Sequence, residues 1–390
     1  MSKPGIVRAF ALAATVVVAA AACNSGSATT APTAVPATVA PATVAPATVA
    51  PATAGTGMYT VGYSNAGGVC NGFREEQVCT AKAQALVSGQ VSKLTVIHRN
   101  TDAAGQLSDI RDLIAKGVQA IVFNPNDPAA LNPALAEATA AGIKTVSVDS
   151  YVTDTNTYNL YNNQVKYAEL GAKWLFDQMG GTGTVYYMRG LAGNSADTDR
   201  DTGFHNILKQ YPNIKVVPND EGVATGWDPA TATKLIQDFI SSGQYDSIQG
   251  IWTSGMDSMI VDAIKAANKP FVPIVGADLG AFVKQLLDPV GYPGLKGVAV
   301  TNTAAVGGAG ITVALKLLSG QSVATDPSAA HPNTVLLDPV AVDNTTDAGK
   351  TTLASWQVTG LDPTWPLGIQ IKDYTTYTTP QAIACKGPGE

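Results

Sequence analysis

From residue 58 onward, short runs of β-branched and aromatic residues alternate with longer stretches of helical spacing. The runs Tyr59-Thr60-Val61-Gly62-Tyr63, Lys93-Leu94-Thr95-Val96-Ile97, Ala120-Ile121-Val122-Phe123 and Lys144-Thr145-Val146-Ser147-Val148 predict four strands, with helices near 73–88, 104–116 and 130–141 between them. The alternation resumes with strands near 183–188, 214–218, 248–253, 272–276 and 296–301. Helices are predicted near 165–179, 200–210, 228–242, 257–267, 279–287 and 305–318. Strand–helix–strand alternation of this kind predicts an α/β fold with parallel sheets covered on both faces. Two such series point to two doubly wound lobes, whereas a closed eight-fold barrel would need eight evenly spaced units.

In open parallel sheets, ligands bind beyond the carboxyl ends of the strands. Those positions carry Asn71, Phe73 and Arg74 after the first strand, Asn124 after the third and Asp149 after the fourth. In the second series they carry Arg189, then Asp197, Asp199 and Arg200, and further on Trp252, Asp257, Asp278 and Asn302. Any one Asn or Asp there can be a helix cap or a turn residue. Their recurrence at strand after strand predicts a polar cleft. Carboxylate, amide and guanidinium groups engage vicinal hydroxyls in pairs, and aromatic faces cover C–H surfaces.

The start of the chain follows another pattern. Lys3 and Arg8 precede an uncharged run over residues 9–22, shorter than the about 20 residues a spanning helix needs. It reads as a secretory signal. Ala20-Ala21-Ala22-Cys23 resembles the lipobox of bacterial lipoproteins, with Ala20 in place of the usual Leu, and implies acylation of Cys23. Residues 23–57 repeat Pro-Ala-Thr-Val-Ala and predict an extended linker without a core. The whole chain of 390 residues is 45% hydrophobic and 14% charged, with a formal net charge of −6. That composition excludes a largely disordered chain and argues against a nucleic-acid surface. His98, His205 and His331 lack metal-ligand spacing, and no Gly-x-Ser-x-Gly elbow or Gly-Lys phosphate loop appears. Asp197 and Asp199, two residues apart beside Arg200, predict orientation of that arginine or a helix cap rather than an acid/base pair.

The body resembles the ribose-binding-protein class of periplasmic sugar-binding proteins, the solute receptors of ABC importers. The resemblance is carried by Asn71-Gly72-Phe73-Arg74, Ser108-Asp109-Ile110-Arg111-Asp112-Leu113-Ile114, Asn124-Pro125-Asn126-Asp127-Pro128, Val148-Asp149, the run from Gly193 to Phe204, and Val275-Gly276-Ala277-Asp278. It implies a type I periplasmic-binding-protein fold, two Rossmann-like lobes joined by three crossovers, with a monosaccharide or polyol held between them. It implies a binding protein without catalysis or cofactor, exported to the periplasm or cell surface, working as a monomer with ABC permease subunits in the membrane. A sensor or chemoreceptor module would share every sequence feature and differ only in its partner, and a secreted carbohydrate-active enzyme is the remote alternative. The ligand set it implies is Asn71, Phe73, Asn124, Asp149, Arg200, Asp257, Asp278 and Asn302, to which the strand-end reading adds Arg74 and Trp252. The pattern departs from the ribose binders at Arg74, Ser150, Met256 (where an Asn usually precedes the Asp) and Ala277, which points to a different small sugar or a polyol. Lobe one is expected at 58–162 and 303–337, and lobe two at 163–302 and 338–390 with the C-terminal tail.

Besides Cys23 there are Cys70, Cys79 and Cys385. A Cys70–Cys79 bridge would span about 10 Å along a helix, beyond the usual reach of about 7 Å. A Cys79–Cys385 bridge is therefore expected, with Cys70–Cys385 or free thiols as alternatives.

Overall fold

The structure is a computed structural model, and it describes residues 58–390. The expected signal, Cys23 and the Pro/Ala/Thr-rich linker lie outside the described residues.

The first sheet is built from β1 (Tyr59–Ala66), β2 (Val91–Arg99), β3 (Ala120–Asn124), β4 (Lys144–Val148) and β5 (Tyr158–Asn162). These strands pair in parallel, in the spatial order β5-β4-β3-β1-β2. Helices α1 (Gly72–Val87), α2 (Ala103–Ala115) and α3 (Asn132–Ala140) form the crossovers. Every residue of β3 is buried, as expected for a strand covered on both faces. Asp102 starts α2 by accepting a hydrogen bond from the Gly105 amide, the usual way a short polar side chain satisfies a helix's first amides.

The chain then passes through Asn163 into α4 (Gln164–Gln178) and the second sheet. Here β6 (Thr182–Arg189), β7 (Asn213–Val217), the two-residue β8 (Val223–Ala224), β9 (Gly250–Trp252), β10 (Ile274–Ala277) and β11 (Gly297–Val300) alternate with α5 (Ser195–Leu208), α6 (Pro229–Ser241), α7 (Asp257–Ala266) and α8 (Gly280–Leu286). The order β11-β10-β9-β6-β7 repeats that of the first sheet. After β11 the chain returns to the first lobe as α9 (Val306–Leu318), which packs on α1 and β4. It adds β12 (Thr334–Leu337) beside β5, then crosses again to place β13 (Ala341–Asp343) antiparallel to β11. Three links thus join two α/β lobes of parallel sheets, the fold class expected from the sequence.

Sequence reasoning missed β5, the two-residue β8, β12 and β13. The β5 sequence Tyr-Asn-Leu-Tyr-Asn has one aliphatic residue, because Asn159 is used structurally: its Oδ1 accepts from the Val152 amide and the Ser147 hydroxyl.

The tail also departs from expectation. Its first part, α10 (Asp347–Ser355), packs beside β13 in the second lobe. Its last part, α11 (Thr379–Ala384), sits on α1 of the first lobe. A disulfide joins Cys79 to Cys385, with Cα atoms 4.3 Å apart. The tail therefore spans both lobes instead of belonging to the second. The pairing is the favoured one of the alternatives left by the cysteine positions, whereas the route of the irregular segment carried no signal.

Candidate functional site

Repeating one strand order puts a topological switch point in each sheet, between β1 and β3 and between β6 and β9, where crossovers diverge and leave a crevice. Asn65, one residue before the end of β1, and Asn124, the last residue of β3, are register partners at the first switch point. The Asn65 side chain accepts from Arg74 Nη1 at 3.1 Å and donates to the Arg74 carbonyl, fixing that arginine over the strand ends. Asn124 Nδ2 donates to Asp149 Oδ2 at 3.1 Å and to Gln77 Oε1 at 2.9 Å. Asp149 itself holds a left-handed backbone with φ of 67°, uncommon for a residue other than glycine and found preferentially at functional positions. Burial pushes its carboxyl up, opposed chiefly by the Arg74 charge and the Asn124 hydrogen bond.

From the second lobe, Arg200 on α5 donates Nε to Gln164 Oε1 at 2.8 Å and Nη1 to the Ser254 carbonyl at 3.0 Å. Its guanidinium lies 4.1 Å above the Tyr167 ring centroid, a cation–π arrangement that fixes its plane. Gln164 in turn donates to Asn302 Oδ1 at 3.1 Å, tying Arg200 to the crossover. Trp227 donates its indole N–H to the Ser254 carbonyl at 2.8 Å. Its ring lies on Gly190, where a Cβ would stand 2.1 Å from the indole.

The two sets face one cavity of about 810 Å³, counted with its solvent-open mouth. Its polar lining includes Asn71, Arg74, Asp149, Arg200, Ser254 and Asn302, and its apolar lining includes Phe73, Trp227, Met256, Met259 and Leu279. Hydrogen bonds cross between the lobes at its edge. Asn71 Nδ2 donates to the Trp227 carbonyl at 3.1 Å, and Ser150 Oγ donates to Asn194 Oδ1 at 3.2 Å. Asn194 Nδ2 reaches the Pro125 carbonyl at 3.3 Å. Arg74, Asp149 and Arg200 share the cavity lining, both guanidinium charges act on the Asp149 carboxylate, and the Arg200 charge also acts on the buried carboxyls of Asp257 and Asp278. Charges of both signs, convergent hydrogen-bonding groups and an aromatic and thioether surface suit a small neutral molecule with hydroxyls on one side and C–H groups on the other.

The structure brings Asn71, Phe73, Arg74, Asp149, Arg200 and Asn302 to the cavity wall. Asn71 also caps α1, so the binding and capping readings of that residue coexist. Four predicted positions stand behind the wall. Asn124 braces Asp149. Asp278 accepts from the Asn302 amide at 2.9 Å, and burial pushes it up to about 6. Asp257 accepts from the Ala277 amide at 2.9 Å and from the Thr253 hydroxyl, and burial likewise pushes it up to about 6. Trp252 is fully buried under the second sheet, edge-on to Tyr167, Tyr187 and Phe204. Its position is a correction: a strand-end side chain can point to either face of the sheet, and this one points into the core. Asp197 is another, since it pairs with Arg189 and the Gly190 amide, both at 2.7 Å, rather than with Arg200.

Trp227, unlike Trp252, is absent from the expected ligand set. The signal that separates them is Gly226-Trp227-Asp228-Pro229, a turn and helix start that places the ring at a lobe edge. Met256, Met259, Thr364 and Pro366 carried no such signal and are also in the lining.

Two linked lobes enclosing a cavity with polar and apolar walls at paired switch points define a binding-protein architecture. The chain belongs to the periplasmic binding protein domain family, which matches residues 61–322. It is 29% identical over 231 residues to the xylitol-binding protein of Mycolicibacterium smegmatis, covering 58% of this chain and 64% of that protein. It is 28% identical over 177 residues to the ribose import binding protein of Bacillus subtilis, covering 45% of this chain and 55% of the relative. Each match spans less than two-thirds of the curated relative's own length. Among solved structures, an ABC transporter solute binding protein from Thermobispora bispora superposes with a TM-score of 0.67 at 25% identity, covering 79% of this chain and 90% of that one.

Proposed function

We propose that this protein is an extracytoplasmic receptor that captures a monosaccharide or polyol and delivers it to an ABC import permease. The observation that carries the reading is the cavity between the lobes, where Asn71, Arg74 and Asp149 face Arg200, Ser254 and Asn302 beside Phe73 and Trp227. Carboxylate and guanidinium hold vicinal hydroxyls by charge-assisted hydrogen bonds, and the rings cover the carbon skeleton. Names of relatives that bind xylitol and ribose agree with that chemistry. Release follows when the lobes part about their three links, since opening hydrates the wall groups and removes half of the contacts. Residues 1–57 supply export and, through acylated Cys23, an anchor holding a monomeric body near the permease.

A thermal-shift screen of xylitol, sorbitol, D-ribose, D-galactose and myo-inositol tests this. A ligand present at a hundred times its Kd stabilises the native form by about 2.7 kcal/mol. The reading requires a clear upward shift with at least one neutral polyhydroxyl compound. It fails if none shifts the melt while an anionic or amino-acid panel does.

A further inference from the structure

The family match ends at residue 322, yet Thr364 and Pro366, more than forty residues later, line the cavity. The segment carrying them is held on both sides. In the second lobe Pro366 forms an antiparallel bridge with Leu279, and the Leu367 amide donates to the Asp278 carbonyl at 2.9 Å. Helix α8 has no side-chain cap. Its opening amides instead donate to the tail, Gly280 to the Trp365 carbonyl at 2.9 Å and Ala281 to the Pro363 carbonyl at 2.6 Å. A helix start needs such acceptors, so the tail completes α8 rather than lying on it.

In the first lobe the same segment passes against Gly72, at the start of α1 between Asn71 and Phe73. A Cβ there would stand 2.1 Å from Thr364 Oγ1 and 2.3 Å from the Thr364 carbonyl oxygen. Only glycine leaves room for the tail to reach this edge. Farther on, the Thr303 hydroxyl donates to the Gly368 carbonyl at a lobe crossover, and the Cys79–Cys385 disulfide fixes the chain end to α1.

Building on the receptor function, we propose that the 362–368 segment is a built-in wall of the ligand cavity, and that Thr364 and Pro366 determine specificity by limiting ligand length. The wall closes the end of the cavity between α1 and α8. A single sugar ring or a short polyol fits in front of it, and a second sugar unit meets Thr364 and Pro366.

The test compares the wild-type protein with Thr364→Gly/Pro366→Ala in calorimetric titrations of xylitol, sorbitol, D-ribose and maltitol. In the wild type, the tightest of the three smaller probes binds at least a hundredfold better than maltitol. The double substitution narrows that gap at least tenfold while the protein remains folded by circular dichroism. An unchanged gap in a folded variant overturns the wall and leaves the receptor reading standing. Should the variant not fold, hydrogen exchange on the wild type decides: the amides of Thr364, Trp365 and Leu367 slow at least fivefold when the tightest probe is added, and unchanged exchange there overturns the wall. If only D-galactose or myo-inositol binds the wild type, that compound replaces the smaller probes against maltitol; if no compound of the thermal-shift screen binds, the receptor reading falls and the wall falls with it.

Discussion

Replacing Asp149 by Asn tests the charge proposed to hold the ligand. Asn is isosteric and among the residues that best tolerate the left-handed φ of 67°, so the backbone is expected to hold. The carboxylate is almost fully buried and faces the Arg74 and Arg200 charges, with Asn124 Nδ2 on Oδ2 at 3.1 Å. A hydrogen bond to a charged group contributes about 1.5–3 kcal/mol and a neutral one about 0.5–1.5. The substitution therefore costs on the order of 1–1.5 kcal/mol for each ligand hydroxyl Asp149 holds, or about tenfold in Kd. A vicinal pair of hydroxyls raises the loss to about a hundredfold. Arg74 would at the same time lose a counter-charge that supports its buried cationic form, so the melting temperature falls too. Pairing the change with Arg74→Gln separates the effects: stability returns and affinity does not. Calorimetry on the tightest ligand reads the affinities, and circular dichroism reads the melts. A folded Asp149→Asn protein whose Kd stays within twofold of wild type would refute the reasoning.

The two tryptophans should behave oppositely. Trp227→Ala weakens ligand binding at least tenfold with a modest change in melting, whereas Trp252→Ala empties a core site and destabilises by about 3–5 kcal/mol; similar losses of affinity from equally stable variants would contradict this. Glu76 is fully buried with no hydrogen-bond partner on either oxygen among the described residues, and burial with the Asp278 charge nearby raises its pKa. The folded form thus keeps a proton that the unfolded chain releases above the ordinary glutamate range, so its ionisation removes stability as pH rises. Glu76→Gln should melt near the wild-type temperature at pH 4 and progressively above it toward pH 8; a difference that shrinks with rising pH would reverse the sign. Removing the Cys79–Cys385 bridge by Cys79→Ser/Cys385→Ser should cost about 2–4 kcal/mol and accelerate hydrogen exchange across 371–390, and unaltered exchange there would show that the tail is held without it.

The alternation of apolar runs revealed the two sheets because a parallel sheet buried on both faces demands near-continuous β-branched strands, as in Ala120–Asn124. The cavity residues Asn71, Arg74, Asp149 and Arg200 were legible for a related reason: the topology sends each strand end toward the crevice, so polar groups there have a destination. Side-chain direction was not legible. Trp252 and Trp227 differ in which side of the backbone faces the crevice, and a single strand-end position carries no record of that. Asn159 hid β5, since a residue spent on hydrogen bonds to Val152 and Ser147 reads as a loop. The route of 356–371 was hidden most deeply. Its fit depends on a gap at Gly72 and on uncapped amides at Gly280 and Ala281, features that exist only once three remote segments meet.

A crystal structure of the complex with the tightest neutral ligand from the screen tests the central claim most directly. The account predicts one molecule between the lobes, with hydroxyl oxygens within hydrogen-bond distance of Asp149, Arg74 and Arg200 and its carbon skeleton against Phe73 and Trp227. Ligand bound elsewhere on the surface, with Asp149 and Arg200 touching only protein, would contradict it.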